Sequence, residues 1–238
     1  MSDRRAIRIA VAFARQAASV PAARLCGACV DVLQVAGAGI TLMSGTNVGP
    51  VCSSNDRTRL LENLQFSLGE GPCHDAFVTG LVVLAPNLSH VSGGRWPTYS
   101  APALAIGASG VFAFPLHVGE GRIGVLTVYQ NEPGDLSANQ TEDCVILAEV
   151  LTETIMSMQR RTERDVLVDE LNDESAHRAE VHQASGVIAI QLGVDVGAAL
   201  ARLRAFAFSN ERSVESVADD ILAHRLRLTD DNTKEKRE

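Results

Sequence analysis

Residues 178–218 read RAEVHQASGVIAIQLGVDVGAALARLRAFAFSNERSVESVA and hold three consecutive helical patterns. The first runs past Gly186 to a stop at Gly193, since glycine readily takes the left-handed conformation that ends helices. The second is rich in alanine and arginine. The third begins at Ser213, whose hydroxyl suits the free amides of a first turn. In the second pattern helical spacing turns Leu200, Leu203, Phe206 and Ala207 inward and leaves Arg202 and Arg204 toward solvent. The stretch predicts a small all-helical bundle and holds almost nothing with which an enzyme could work.

Upstream, Ser137-Ala138-Asn139-Gln140 is a capping box, in which serine caps a free amide and glutamine reaches back to the serine. After it no proline occurs in the chain, and no glycine before Gly186. Apolar or small residues run through Cys144, Leu147, Leu151, Ile155, Met158 and Thr162. They resume with a shifted phase at Leu167, Leu171, Arg178 and Val181. This predicts one helix of about 50 residues, about 75 Å long. So narrow a stripe on so long a helix is best buried against its copy in a parallel homodimer, with a local change of winding near Val166–Leu167.

Before that helix the patterning changes. Residues 3–35 have helical spacing divided at Pro21, with stripes through Ile7, Val11 and Ala14 and through Leu25, Cys29, Val32 and Leu33. Strands are expected at Ala38–Met43 and Pro50–Ser53 around a turn at 44–47, and at Leu81–Leu84, with a helix at Arg57–Leu68 between them. Val111–Val118 and Ile123–Tyr129 form a hairpin about a turn at 119–122. Its second arm is largely apolar on both sides, as a central strand is. The order is α+β, an antiparallel sheet with helices packed on it.

At 238 residues there is room for two small domains. A net charge of −8 excludes a protein that coats nucleic acid indiscriminately, which needs a basic face. Residues 160–238 carry 12 basic and 16 acidic side chains, so any nucleic-acid site must be a local cluster of arginines. Five cysteines, an odd number, without a signal peptide imply free thiols in a reducing cytoplasm. The longest uncharged runs, within 32–55 and 96–119, are broken by Gly, Pro, Ser and Asn, so neither reads as a membrane span. The segment TDDNTKEKRE at 229–238 has the composition of a disordered tail.

Two family resemblances fit these patterns. Arg178, Val181, Gln183-Ala184, Gly186-Val187, Gly193, Ala198, Leu203-Arg204, Ala207, Asn210-Glu211-Arg212 and Val217-Ala218 resemble the ANTAR domain, a helical module of bacterial transcription antiterminators that binds RNA. Ser185 stands where that family usually carries lysine. The run Leu68–Phe77, LGEGPCHDAF, with Leu84–Leu88, Arg95–Tyr99 and Phe114–Leu116 through Gly124–Leu126, resembles the GAF domain, a sensing or dimerisation module. The resemblances imply a GAF-like α+β domain at 5–158, a coiled-coil part of the connecting helix at 159–177 and a three-helix ANTAR bundle at 178–228. They imply a homodimeric, cytoplasmic regulator that is not an enzyme, binding paired stem-loops of leader RNA under GAF control, with no cofactor and no membrane partner. An unidentified small molecule could be the GAF ligand.

Candidate RNA contacts are Arg178, His182, Gln183, Ser185, Gly186, Arg202, Arg204 and Arg212. Guanidinium groups fork onto phosphates and stack on unpaired bases. The alternative is a solvated face with arginines paired to Glu211 or Asp219, and for Gly186 a helix-packing contact. Candidate GAF pocket residues are Cys73, His74, Trp96 and Tyr99, with GEGPCH read as a structured loop. Cys26-x-x-Cys29 lies on a predicted helix without a second ligand pair, so the two read as buried thiols rather than a metal site. A GAF sensor whose helical tail recruits a protein, and a thiol enzyme built on Cys73, are the competing readings. No phosphate-loop, HExxH, GxSxG, kinase or receiver signature occurs.

Overall fold

The computed structural model describes residues 25–43, 49–91, 94–162 and 173–228, with side chains at 25–158 and from 180 onward. The chain divides into two compact units, one to Val166 and one from Leu167. The predicted helix before Pro21, the turn at 44–47, the middle of the connecting helix and the segment from Thr229 lie outside the described residues.

The first unit is a five-stranded antiparallel sheet between two helical layers. Its strands are β1 (Gly37–Leu42), β2 (Gly49–Ser53), β3 (Val83–Ala85), β4 (Gly110–Val118) and β5 (Gly121–Gln130). They lie in the order β2-β1-β5-β4-β3, so the doubly apolar arm β5 is central, as predicted. Strand alternation sorts the two faces. Ala38, Ile40, Phe112, Phe114, Leu126 and Val128 pack under α1 (Leu25–Leu33) and α5 (Ala138–Thr162). On the other face Val111, Ala113, Val125 and Tyr129 meet α2 (Asp56–Leu68), α3 (Pro72–Thr79) and α4 (Ser100–Ile106).

Local chemistry explains the boundaries. Asn55 caps α2 by accepting the Thr58 amide at 2.9 Å. The predicted capping box of α5 forms in both directions: Ser137 N–H donates to Gln140 Oε1 at 3.0 Å and Gln140 N–H to Ser137 Oγ at 3.2 Å. Gln140 Nε2 also reaches Leu33 O on α1 at 2.9 Å, tying the two helices of that layer together.

Three expectations are corrected. GEGPCH is not a loop throughout: α3 starts at Pro72, where a missing amide costs nothing in a first turn. The strand expected at 81–84 sits later, at Val83–Ala85, and Leu81 is exposed. The cysteines are not all free. Cys26 is bonded to Cys52 across α1 and β2, while Cys29, Cys73 and Cys144 remain buried thiols.

The second unit is helical: α6 (Asp173–Leu192), α7 (Val196–Ser209) and α8 (Val214–Leu222). Gly193, at φ 64°, ends α6, Asp195 caps α7 through the Ala198 amide at 2.9 Å, and Ser213 caps α8 through the Ser216 amide at 3.1 Å. Apart from Ser185 its described core is aliphatic, with Val181, Ala184, Ile188, Leu203, Ala207, Val217 and Ile221 among its residues. Among the described residues no single helix is long and apolar enough to cross a membrane.

Candidate functional site

In the first unit the polar groups converge on one face of the sheet. Gly37 and Gly39 leave that row of β1 without side chains, and a Cβ at Gly39 would lie 2.5 Å from the Glu62 carboxyl group. The cleared space admits Glu62 from α2, which is 1% exposed. Its carboxyl group accepts Thr41 Oγ1 at 2.5 Å and Tyr129 Oη at 2.6 Å. Gln65, one turn along α2, donates to Tyr129 Oη at 2.8 Å and accepts the Cys73 amide at 2.8 Å. Tyr99 Oη and Thr127 Oγ1 are buried with no partner of hydrogen-bonding geometry among the described residues.

Burial pushes the Glu62 carboxyl up, against the hydrogen bonds from Thr41 and Tyr129 that favour its charged form. The Cys73 thiol is raised well above its ordinary value, first by burial and then by the neighbouring Glu62. Such a thiol is a poor nucleophile, because the reactive thiolate is disfavoured.

The segment 94–99 covers this core. Glu70 holds it by accepting the Thr98 and Tyr99 amides at 2.9 and 3.0 Å and Thr98 Oγ1 at 2.7 Å. Asp75 accepts Trp96 Nε1 at 3.1 Å and Arg95 Nε at 2.9 Å, and the Arg95 guanidinium lies 4.8 Å from the Trp96 ring centre. Three of the four expected pocket residues, Cys73, Trp96 and Tyr99, therefore share one core. His74 does not: its half-exposed ring lies beside Asp75, because adjacent helical residues diverge. A cleft of about 570 Å³ elsewhere in this unit, at His117, Val118, Thr152, Glu153 and Met156, contains none of the four. Among the described residues no three His, Cys, Asp or Glu side chains are grouped to hold a metal.

In the second unit the candidates scatter. Arg202 and Gln183 are exposed and His182 is half-buried. Arg204 is half-buried as well, and loss of hydration lowers its pKa to about 10, which corrects the expectation that it faces solvent freely. Ser185 is fully buried and donates to Val181 O at 2.8 Å, so it presents nothing to a ligand. Gly186 has open space where a Cβ would stand, so no described residue packs against it there. The Arg178 side chain lies outside the described residues.

Arg212 is engaged in its own unit. It donates to Asp220 Oδ2 at 2.6 Å and to Ser216 O and Oγ at 2.9 and 2.8 Å, and Arg225 holds the other Asp220 oxygen at 2.7 Å. These two arginines hold the Asp220 carboxyl below its ordinary value. The partner of Arg212 is thus Asp220, not Glu211 or Asp219.

Glu62, Gln65, Thr41, Thr127 and Tyr129 escaped the sequence reading. Thr58, Glu62 and Gln65 recur at helical spacing, a weak signal, since such a stripe ordinarily faces water.

Comparison with known proteins places these units. Residues 22–155 match the GAF domain and residues 169–222 match the ANTAR domain. No curated protein matches. Among solved structures, the chain is similar to the GAF domain of a phosphoenolpyruvate-protein phosphotransferase from Acinetobacter, at 16% identity over 68% of this chain and 97% of that one, TM-score 0.49. It is also similar to a free methionine-R-sulfoxide reductase from Neisseria meningitidis, at 12% identity over 66% of this chain and 89% of that one, TM-score 0.48. The chain belongs to the GAF domain family and carries an ANTAR domain behind it, the arrangement of a GAF–ANTAR regulator.

Proposed function

We propose that the protein is an RNA-binding transcription antitermination regulator, acting in the cytoplasm as a homodimer on paired stem-loops of nascent leader RNA. The observation that carries the reading is the ANTAR match over 169–222, in a unit whose exposed α7 face includes Arg202. A dimer that binds one of two competing RNA folds more tightly shifts the population toward that fold, here an antiterminator over a terminator. Sequence is read at single-stranded loop nucleotides, whose edges are accessible.

Input comes through the GAF unit, at the core around Glu62, Tyr129 and Tyr99. A small molecule reaching that core would displace or complete its hydrogen bonds, including the unpartnered Tyr99 hydroxyl. Regulation rather than catalysis is supported by Cys73, whose thiol is buried and held away from the thiolate form.

Sequencing RNA crosslinked to the full-length protein in cells tests the reading. Enrichment of leader transcripts bearing two adjacent hairpins is the expected result. Recovery of proteins alone would favour a tail that recruits a protein partner.

A further inference from the structure

Phe208, near the end of α7, is 65% exposed although it is a large apolar side chain. Its helical neighbours say what kind of surface this is. Ala201 and Ala205 lie seven and three positions before it and Arg204 four before, and the helix ends one residue after it, at Ser209. None is a large apolar residue, so no stripe continues from Phe208 along the helix, as a helix–helix seam requires. An isolated aromatic ring beside a floor of alanines, with Arg204 one turn away, is instead an arrangement on which an unstacked nucleobase can rest. Every base has a π-face, and arginine supplies attraction to the adjoining phosphates.

We infer that Phe208 is a stacking platform for one splayed loop base of the bound RNA, with Arg202 and Arg204 on the same helix drawing in the flanking phosphates. The inference rests on the RNA-binding reading and adds to it the residue that meets a base. Arg204 suits the task because it sits in a partly dehydrated setting, where its attraction to phosphate is less screened than in water. Arg212 does not share the work: its guanidinium stays on Asp220 and Ser216 of α8.

The test uses the full chain and a synthetic pool of transcripts, each with two hairpins whose loops are randomised. Transcripts retained by the unaltered protein are enriched, and affinities are measured on the enriched pool. Phe208→Ala is expected to weaken binding roughly tenfold to a hundredfold, Phe208→Trp to retain it, and Phe208→Leu to behave like alanine, because stacking needs a π-face. A fluorescent 2-aminopurine in the loop should be quenched by the unaltered protein and by Phe208→Trp only. Equal binding by Phe208→Ala, or full rescue by leucine, overturns the platform while leaving the RNA reading in place. A change in oligomeric state on Phe208→Ala also overturns it, since the ring would then meet protein. Failure of the unaltered protein to retain any transcript removes both.

Discussion

The two units place their polar groups in opposite ways. In the GAF unit Glu62, Tyr129, Gln65 and Thr41 are sealed inside, joined by bonds of 2.5–2.8 Å. In the ANTAR unit the described core is aliphatic apart from Ser185, and the described arginines and acids are half-buried or exposed. A buried acid is costly unless every partner is in place, so it locks one arrangement of the surrounding elements. Surface charges cost little and remain open to exchange with a polyanion. The difference assigns the labour: the first unit can hold a defined state, and the second can respond to charge.

The largest effect that would sharpen this contrast is on the GAF unit alone. Cys52→Ser opens the link to Cys26 across a separation of 26 residues, and should lower that unit's unfolding free energy by about 3 kcal/mol. Denaturant unfolding should show the GAF transition moving while the ANTAR transition stays. Equal shifts in both would mean that the units do not unfold independently.

The second test turns on pH, where the units should respond with opposite sign. Glu62 holds its proton to higher pH when folded than when unfolded, because burial raises it. Its contribution is therefore full below the ordinary carboxylate range and declines as pH rises through that range toward the raised value. Asp220 is held low by Arg212 and Arg225, so its contribution is present above the ordinary range and lost as pH falls through it. The GAF unit should lose stability as pH rises above the ordinary carboxylate range, and Glu62→Gln should flatten that profile. A flat profile in the unaltered protein would break the contrast.

The smallest effect belongs to the ANTAR surface. Asp220→Asn should cost the second unit less than about 1 kcal/mol, because both ion pairs are partly exposed and screened. A loss of several kcal/mol would show that this unit, too, depends on an interior polar bond.

What could be read beforehand follows the same division. Where a periodic stripe and a cap coincide, as at Ser137–Gln140, Gly193 and Ser213, local chemistry decides the element and the sequence displays it. α3 was missed because it is short, at eight residues, and wrapped in glycine and proline that also mark loops. Glu62 was missed for a different reason: its burial depends on Gly39 of β1, a residue distant in sequence, and no local pattern announces that pairing. Ser185 is a candidate RNA contact only by its place in the family motif, which says nothing about which side of α6 packs inward. Phe208 was visible as a residue, but only its exposure separates it from Phe206, which is half-buried.

The central claim is that the ANTAR unit meets RNA through the α7 arginines Arg202 and Arg204, and salt dependence tests it most directly. Affinity of the full-length protein for the enriched two-hairpin transcripts should fall as salt rises, with a logarithmic slope of roughly −3 for about four single-stranded phosphate contacts from Arg202 and Arg204 of the two protomers of the proposed dimer. Arg202→Ala removes two of those contacts and should make that slope shallower by about 1.4. Affinity that is absent at low salt, or that does not change with it, would contradict the account.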